Sequence, residues 1–457
     1  MSLPILYTVD NRQKHLAELI DFLRIPSIST QPDRNSDTAR AATWLAETMS
    51  KAGLENVRVI QTKRHPLVYA DWLHAGPEAP TVLVYGHYDV QPPEPLDLWD
   101  SPPFEPTVRD DYVYARGAAD DKGQLFIHVK AVEAYLQTSS QLPVNVKFII
   151  EGEEEIGSRN LGEFIPQNRE LLAADSALIS DSAMLAPGKP ALVYGLRGNC
   201  HLLLDITGPS RDLHSGTYGG GINNPLNVLA HLIARLKDER GHVLIPGFYD
   251  RVRPLSLEER ELLATFPLDE ANWLREAGAP ELWGEPEYTL VERISARPTL
   301  DITGMYGGYI GEGTKTVLPS HAHAKISMRL VPDQDPAEIA ELFEQFTRSI
   351  LPSGVELKIR AAGGSKAALI DRDTPPMRAA AAAYEATYHQ PPVFMREGGS
   401  IPVVNQFETD LKLPTVLMGF GLPGDRIHSP NERFYLPNFN AGIETSIRYL
   451  ELLRQAL

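Results

Sequence analysis

Apolar positions along the chain follow two rhythms. Leu16, Leu19, Ile20 and Leu23 fall at helical spacing within Arg12 to Arg24, and Thr38 to Met49 repeats that amphipathic pattern. Thr81 to Tyr85, Val144 to Ile150 and Ala177 to Ile179 are short unbroken apolar runs that predict buried strands. Between the first two, Leu125, Val129, Val132 and Leu136 share one face of a helix over Gly123 to Leu136. Strands alternating with helices predict a doubly covered, largely parallel sheet.

The rhythm changes near Arg197-Gly198. A strand over Cys200 to Ile206, a helix over Pro225 to Leu236 and a strictly alternating strand over Lys325 to Leu330 come first. A helix over Pro336 to Ile350 and a strand over Val355 to Ile359 follow, which suits a small α+β domain with one helical face. Ile245 to Pro298, rich in Pro, Leu and acidic residues, reads as an insertion with short helices. Doubly wound character returns with a helix over Met377 to Tyr388, a strand over Thr415 to Met418 and a helix over Asn440 to Leu453. The expected organisation is one α/β domain, residues 1–198 and 363–457, interrupted by an inserted domain, residues 199–362. Hinges are expected near Gly198 and Gly363-Gly364.

Composition narrows the classes. With 457 residues, two or three domains are expected. No apolar run is long enough to span a bilayer. A formal charge of -17 disfavours nucleic acid and anionic membranes as partners. Met1-Ser2-Leu3-Pro4-Ile5 shows no signal-peptide pattern, and the single Cys200 allows neither an intrachain disulfide nor a thiolate zinc site. The expected setting is a reducing cytoplasm.

Candidate chemistry collects where apolar runs end, the place an α/β sheet puts its active-site loops. His87 follows the first strand, with Asp89 able to orient its imidazole. Asp120 and Asp121 lie between two glycines, either as a solvated helix start or as a bridge between two cations. Glu153, Glu154 and Glu155 follow the Val144 to Ile150 strand, so one can ligate a metal while a neighbour stays free as a base. Asp181 ends the third strand, and His428 lies in an irregular Ser429-Pro430-Asn431-Glu432 loop. Each residue has an ordinary reading as a loop, cap or surface group. Histidines and carboxylates recurring in this position instead point to a two-metal hydrolase.

In order, His87-x-Asp89, Gly-x-x-Asp120-Asp121-Lys-Gly, Glu154-Glu155-x-Gly157-Ser158, Asp181 and His428-Ser-Pro-Asn-Glu resemble the M20 metallopeptidase family over nearly the whole chain. Arg211-Asp-Leu-His214-Ser-Gly, Ser327-Met-Arg329-Leu-Val-Pro and Arg396-Glu-Gly-Gly-Ser400-Ile-Pro look like its cytosolic non-specific dipeptidase and carnosinase-like branch. The resemblance implies two divalent ions, zinc foremost with manganese or cobalt as alternatives. Asp120 would bridge them, His87 and Asp181 would complete one site, and Glu155 and His428 the other. Glu154 would be general base and then acid, and Asp89 would assist catalysis through His87. His214 would stabilise the oxyanion from the partner subunit of a homodimer formed by the inserted lid and dimerisation domain. Arg329, Ser400 and Thr316 would hold the carboxylate of a small peptide. A cis Asp120–Asp121 peptide is also implied. A deacylase or desuccinylase of N-acyl amino acids, a carboxypeptidase, and a non-catalytic binding protein on the same fold are the alternatives.

Overall fold

In the computed structural model, which describes residues 2–457, the Thr81–His87 run lies at the middle of a mixed sheet. Its order is Glu55–Ile60, Leu67–Trp72, Asn145–Glu151, Thr81–His87, Ser176–Ile179, Thr415–Leu417, Ala191–Leu196 and Ala368–Leu369, with Val393–Glu397 also pairing with Ala191–Leu196. The strands from Asn145–Glu151 to Thr415–Leu417 are parallel neighbours, whereas Glu55–Ile60, Leu67–Trp72 and Ala191–Leu196 pair antiparallel. The expected parallel sheet is therefore confined to the centre. Asn145–Glu151 is buried at every position, as a strand covered on both faces requires. Helices Asn35–Ala52, Lys122–Thr138, Pro375–Tyr388 and Leu436–Ala456 contribute Leu45, Phe126, Tyr384 and Ile447 to its main core.

The chain divides into two units. One comprises residues up to Tyr194 with Ile370–Met395 and Pro402–Leu457, and the other Gly195–Leu369 with Arg396–Ile401. These boundaries differ from those read in the sequence for two physical reasons. Gly363-Gly364, expected as a hinge, lies inside the strand Glu356–Ser365, where the register shifts and Gly364 pairs with Cys200. Arg396–Ile401 joins the second unit because Arg197 holds it. The Arg197 backbone N–H donates to Glu397 O at 3.3 Å, and its Nε donates to Gly398 O at 3.4 Å.

The second unit is an antiparallel sheet ordered Thr299–Gly307, His321–Leu330, Gly198–Thr207 and Glu356–Ser365. Gly198–Thr207 alternates strictly between buried and half-buried positions. Its Leu202, Leu204 and Ile206 pack with Leu229 and Leu232 of helix Pro225–Ile233 and Phe343 of helix Pro336–Ser349. The insertion carries short helices Leu257–Ala264, Glu270–Ala277 and Leu290–Ser295, the last opened by a Thr289–Glu292 capping box. No helix among the described residues is long and apolar enough to cross a membrane.

Gly86 lets helix Lys122–Thr138 approach the central strand. A Cβ there would lie 2.8 Å from Asp121 Oδ2 and 3.1 Å from the Leu125 side chain. Gly86→Ala is expected to destabilise the metal-free protein by about 1–3 kcal/mol in urea unfolding followed by circular dichroism. Unchanged stability would mean that the helix moves aside freely.

Candidate metal centre

Parallel strands deliver the candidate residues to one place. His87 is the last residue of its strand and pairs with Glu151, after which the next strand turns into the glutamate run. Asp181 lies just beyond Ser176–Ile179, Asp120 just before helix Lys122–Thr138, and His428 in the loop after Thr415–Leu417. The Asp120–Asp121 peptide is cis.

Asp120 presents one oxygen to each histidine. Its Oδ1 lies 3.0 Å from His87 Nε2, and its Oδ2 lies 2.8 Å from His428 Nε2. Asp181 Oδ2 is 3.8 Å from His87 Nε2, and Glu155 Oε2 is 3.2 Å from His428 Nε2. Two triads result, His87–Asp120–Asp181 and Asp120–Glu155–His428, each with ligand atoms within 4.8 Å of one another. His87 Nδ1 lies 3.1 Å from the Asp89 carbonyl, positioned to donate to it, which leaves Nε2 as the lone-pair nitrogen of the neutral ring. That Nε2 is buried, faces two carboxylates and has no hydrogen-bond partner. An orphaned nitrogen aimed at lone pairs fits a site built for a cation.

Electrostatics agree. Burial, then neighbouring charges including Asp181, Glu155 and Asp120, hold Glu154 well above the usual carboxylate range. Burial and the Asp120 charge push Asp181 up to about 7. Burial also disfavours the charged form of His87, but the carboxylates of Asp120 and Asp89 outweigh it and hold its pKa well above normal. Hydrogen bonds to Asp120 and Glu155 raise His428 to about 10. Protons are doing here what divalent ions would do.

Asp89 does more than orient the imidazole, the role expected from the sequence. Its carboxylate accepts the backbone N–H groups of Glu154 and Glu155, both at 3.2 Å, and lies 3.4 Å from His87 Nδ1. It therefore positions the glutamate turn as well as the imidazole. Glu153 turns away, accepting from His65 N at 3.0 Å and Asn160 N at 3.2 Å, which leaves Glu154 and Glu155 as the pair facing the cluster.

Three supporting residues escaped the sequence reading. Asp121 Oδ2 accepts the His87 N–H at 3.1 Å, Gln91 donates to Glu155 Oε2 at 2.8 Å, and Glu432 accepts from the Asp120 loop. Asp121 and Glu432 sat inside quoted motifs, but nothing local separates a carboxylate that binds backbone from one that binds metal.

In the second unit, Arg329 Nη1 donates to Ser400 Oγ at 3.2 Å, and Ser400 donates to Arg197 O at 2.5 Å. Thr316 lies instead with His214, because Leu213–His214 pairs with Val317–Leu318 and Ser215 N donates to Thr316 O at 3.0 Å. His214 is exposed, and its Nδ1 accepts from Gly216 N at 3.1 Å. The neutral ring therefore carries its proton on Nε2, a donor open to an external acceptor.

The model of "Peptidase family M20/M25/M40" matches residues 83–452. Cys-Gly metallodipeptidase DUG1 of Saccharomyces cerevisiae is 31% identical, covering 96% of this chain and 95% of the relative. Beta-Ala-His dipeptidase of Mus musculus is 32% identical over 85% of this chain and 80% of its own. The crystal structure of the M20 family metallo-carboxypeptidase Sso-CP2 from Sulfolobus solfataricus superposes with a TM-score of 0.88 at 34% identity, covering 96% of this chain and 99% of that one. With its paired histidines sharing one aspartate at the ends of parallel strands, the chain belongs to peptidase family M20/M25/M40.

Proposed function

We propose that this protein is a two-metal dipeptidase, hydrolysing the peptide bond of small unblocked peptides. One observation carries the reading: the two oxygens of Asp120 each face a different histidine, with a further carboxylate beside each. His87, Asp120 and Asp181 would hold one divalent ion, and Asp120, Glu155 and His428 the other. Zinc is the first candidate for this nitrogen and oxygen donor set, with manganese or cobalt next. Bound there, the ions would supply Lewis-acid polarisation of the carbonyl and a more acidic water. Glu154, outside both triads, would accept the proton of the attacking water and pass it to the leaving amine. His214 Nε2–H is the oxyanion donor, contributed by a partner subunit, while Arg329 and Ser400 grip the substrate carboxylate and Thr316, beside His214, would reach it from that partner. Exposed Met305, Tyr306, Tyr309 and Ile310 on the second unit support a homodimer formed there. A reducing cytoplasm suits a chain with one cysteine.

A carboxypeptidase is the second reading, favoured by the Sulfolobus structure. Both demand a free carboxylate, but only the dipeptidase reading demands a short substrate with a free amine.

Zinc-, manganese- or cobalt-loaded protein is expected to cleave unblocked dipeptides and to lose activity on chelation. Glu154→Gln should lower kcat by about 10²–10⁴-fold while two ions still bind. Equal cleavage of N-acetylated peptides would favour the carboxypeptidase, and no hydrolysis of any dipeptide or N-acyl amino acid would sink the enzyme reading.

In the metal-free protein His428, raised to about 10, bears a proton at neutral pH, and the neighbouring carboxylates favour protons on His87 as well. Ion binding must expel them, so apparent affinity should rise with pH through neutrality, and calorimetry in buffers of different ionisation enthalpy should show proton release. Proton uptake would contradict the ligand assignment.

Mixing Glu154→Ala with His214→Ala protein under subunit exchange should restore activity, since one active site of the hybrid keeps both groups. No recovery despite proven exchange would count against sharing between subunits.

A further inference from the structure

We propose that Glu432 is a positioning residue that sets the ion affinity of the Asp120–Glu155–His428 triad by locking the His428 loop onto the Asp120 loop. The inference rests on the two-metal reading and extends it to a residue outside both triads.

Glu432 is 1% exposed, yet it offers nothing to a metal because its oxygens are occupied. Oε1 accepts the backbone N–H groups of Ala119 at 3.0 Å and Asp120 at 3.2 Å. Oε2 accepts Gly117 N at 3.0 Å and Arg116 Nη1 at 2.7 Å. The main chain adds a fifth link, from Ala115 N to Glu432 O at 3.1 Å. One carboxylate thus fixes the backbone from Arg116 to Asp120, the segment that aims the bridging aspartate. Arg116, itself 1% exposed, balances the buried charge and is tied by Nη2 to Pro92 O at 3.2 Å.

Glu432 also belongs to the loop that carries His428. That loop needs anchoring. Arg426, His428 and Asn431 all have positive φ, of 57°, 60° and 63°, an uncommon conformation for residues with side chains. The His428 side chain is 52% exposed, unlike the wholly buried His87, so packing does not fix its ring. Its recorded partners are Asp120 and Glu155, the members of its own triad. The loop is instead held at its end, by Glu432 and by Asn431, which accepts from Asp100 N at 2.8 Å and donates to Leu98 O at 2.9 Å.

The other triad has its own support. His87 is aligned by the Asp89 carbonyl and by Asp121, neither of which touches Glu432. Loss of the Glu432 clamp should therefore fall unevenly. The His428 side loses two of its ligand positions to movement, whereas the His87 side keeps two of three in place.

The experiment uses full-length protein stripped of metal and titrated with zinc, and separately with cobalt, against a chromophoric chelator. Glu432→Gln keeps the shape but removes the charge that binds Arg116 and three N–H groups. One ion is expected to bind within about 2-fold of the wild-type affinity and the other about 10–100-fold more weakly, with an altered cobalt absorption band for that second ion. His428→Ala should delete the same binding event. Glu432→Asp, which keeps the charge on a shorter arm, should give an intermediate loss and serves where Glu432→Gln does not fold. Wild-type affinity for both ions in either folded variant, or equal weakening of both, would overturn the proposal. If His428→Ala still binds two ions normally, the metal assignment fails instead.

Discussion

The constraint on which the structure depends is the repulsion among carboxylates gathered around Asp120. Asp120, Glu154, Glu155 and Asp181 converge where water is largely excluded. At an effective dielectric near 20, each like-charged pair about 4 Å apart costs about 4 kcal/mol. The metal-free chain relieves this with protons, which Glu154 and both histidines hold more tightly than such groups usually do. Two divalent cations would offset the four carboxylates and favour neutral histidines. The fold's task is to keep these groups together whether or not that compensation is present.

It does so by placing them at the ends of parallel strands and restraining the loops with further carboxylates. Asp89 binds the N–H groups of the glutamate turn, Asp121 that of His87, and Glu432 those of the Asp120 loop. A neutral acceptor could make such bonds, but an ionised carboxylate makes them stronger and takes several donors at once. The arrangement also separates roles. Glu432, with four donors on its two oxygens, has no lone pair to spare for an ion, whereas Asp120 keeps both oxygens turned to imidazoles.

This separation explains what the sequence could reveal. The strands that carry the cluster are unbroken apolar runs, so their ends, and with them His87, the glutamate run and Asp181, were readable. Adjacent Asp120 and Asp121 were not distinguishable by pattern, since their difference lies in which way each side chain faces. Leu67–Trp72 was missed because its buried Asp71 breaks the apolar run, and only the partners Tyr69 and Asn56 make that burial tolerable. Gly363-Gly364 looked like a hinge because paired glycines permit one, but the same freedom serves a strand irregularity beside Cys200.

The second unit poses the opposite electrostatic problem. Burial, then the nearby Arg329 charge, lowers Arg197 to about 10, so two guanidinium groups repel each other there. Arg197 is fixed in this place by the Arg396–Ile401 segment. A Cβ at Gly398 would meet Arg197 Nη2 at 2.7 Å and Ile294 O at 2.8 Å, so the glycine is what admits the arginine. Ser400 lies between them, donating to the Arg197 carbonyl while accepting from Arg329. Its hydroxyl orients Arg329 but adds no negative charge, and the nearby Asp301 offsets the repulsion only in part. The surplus charge is thus positive around Arg197 in this unit and negative around Asp120 in the other, and in each case backbone contacts of the neighbouring loops hold the like charges in place.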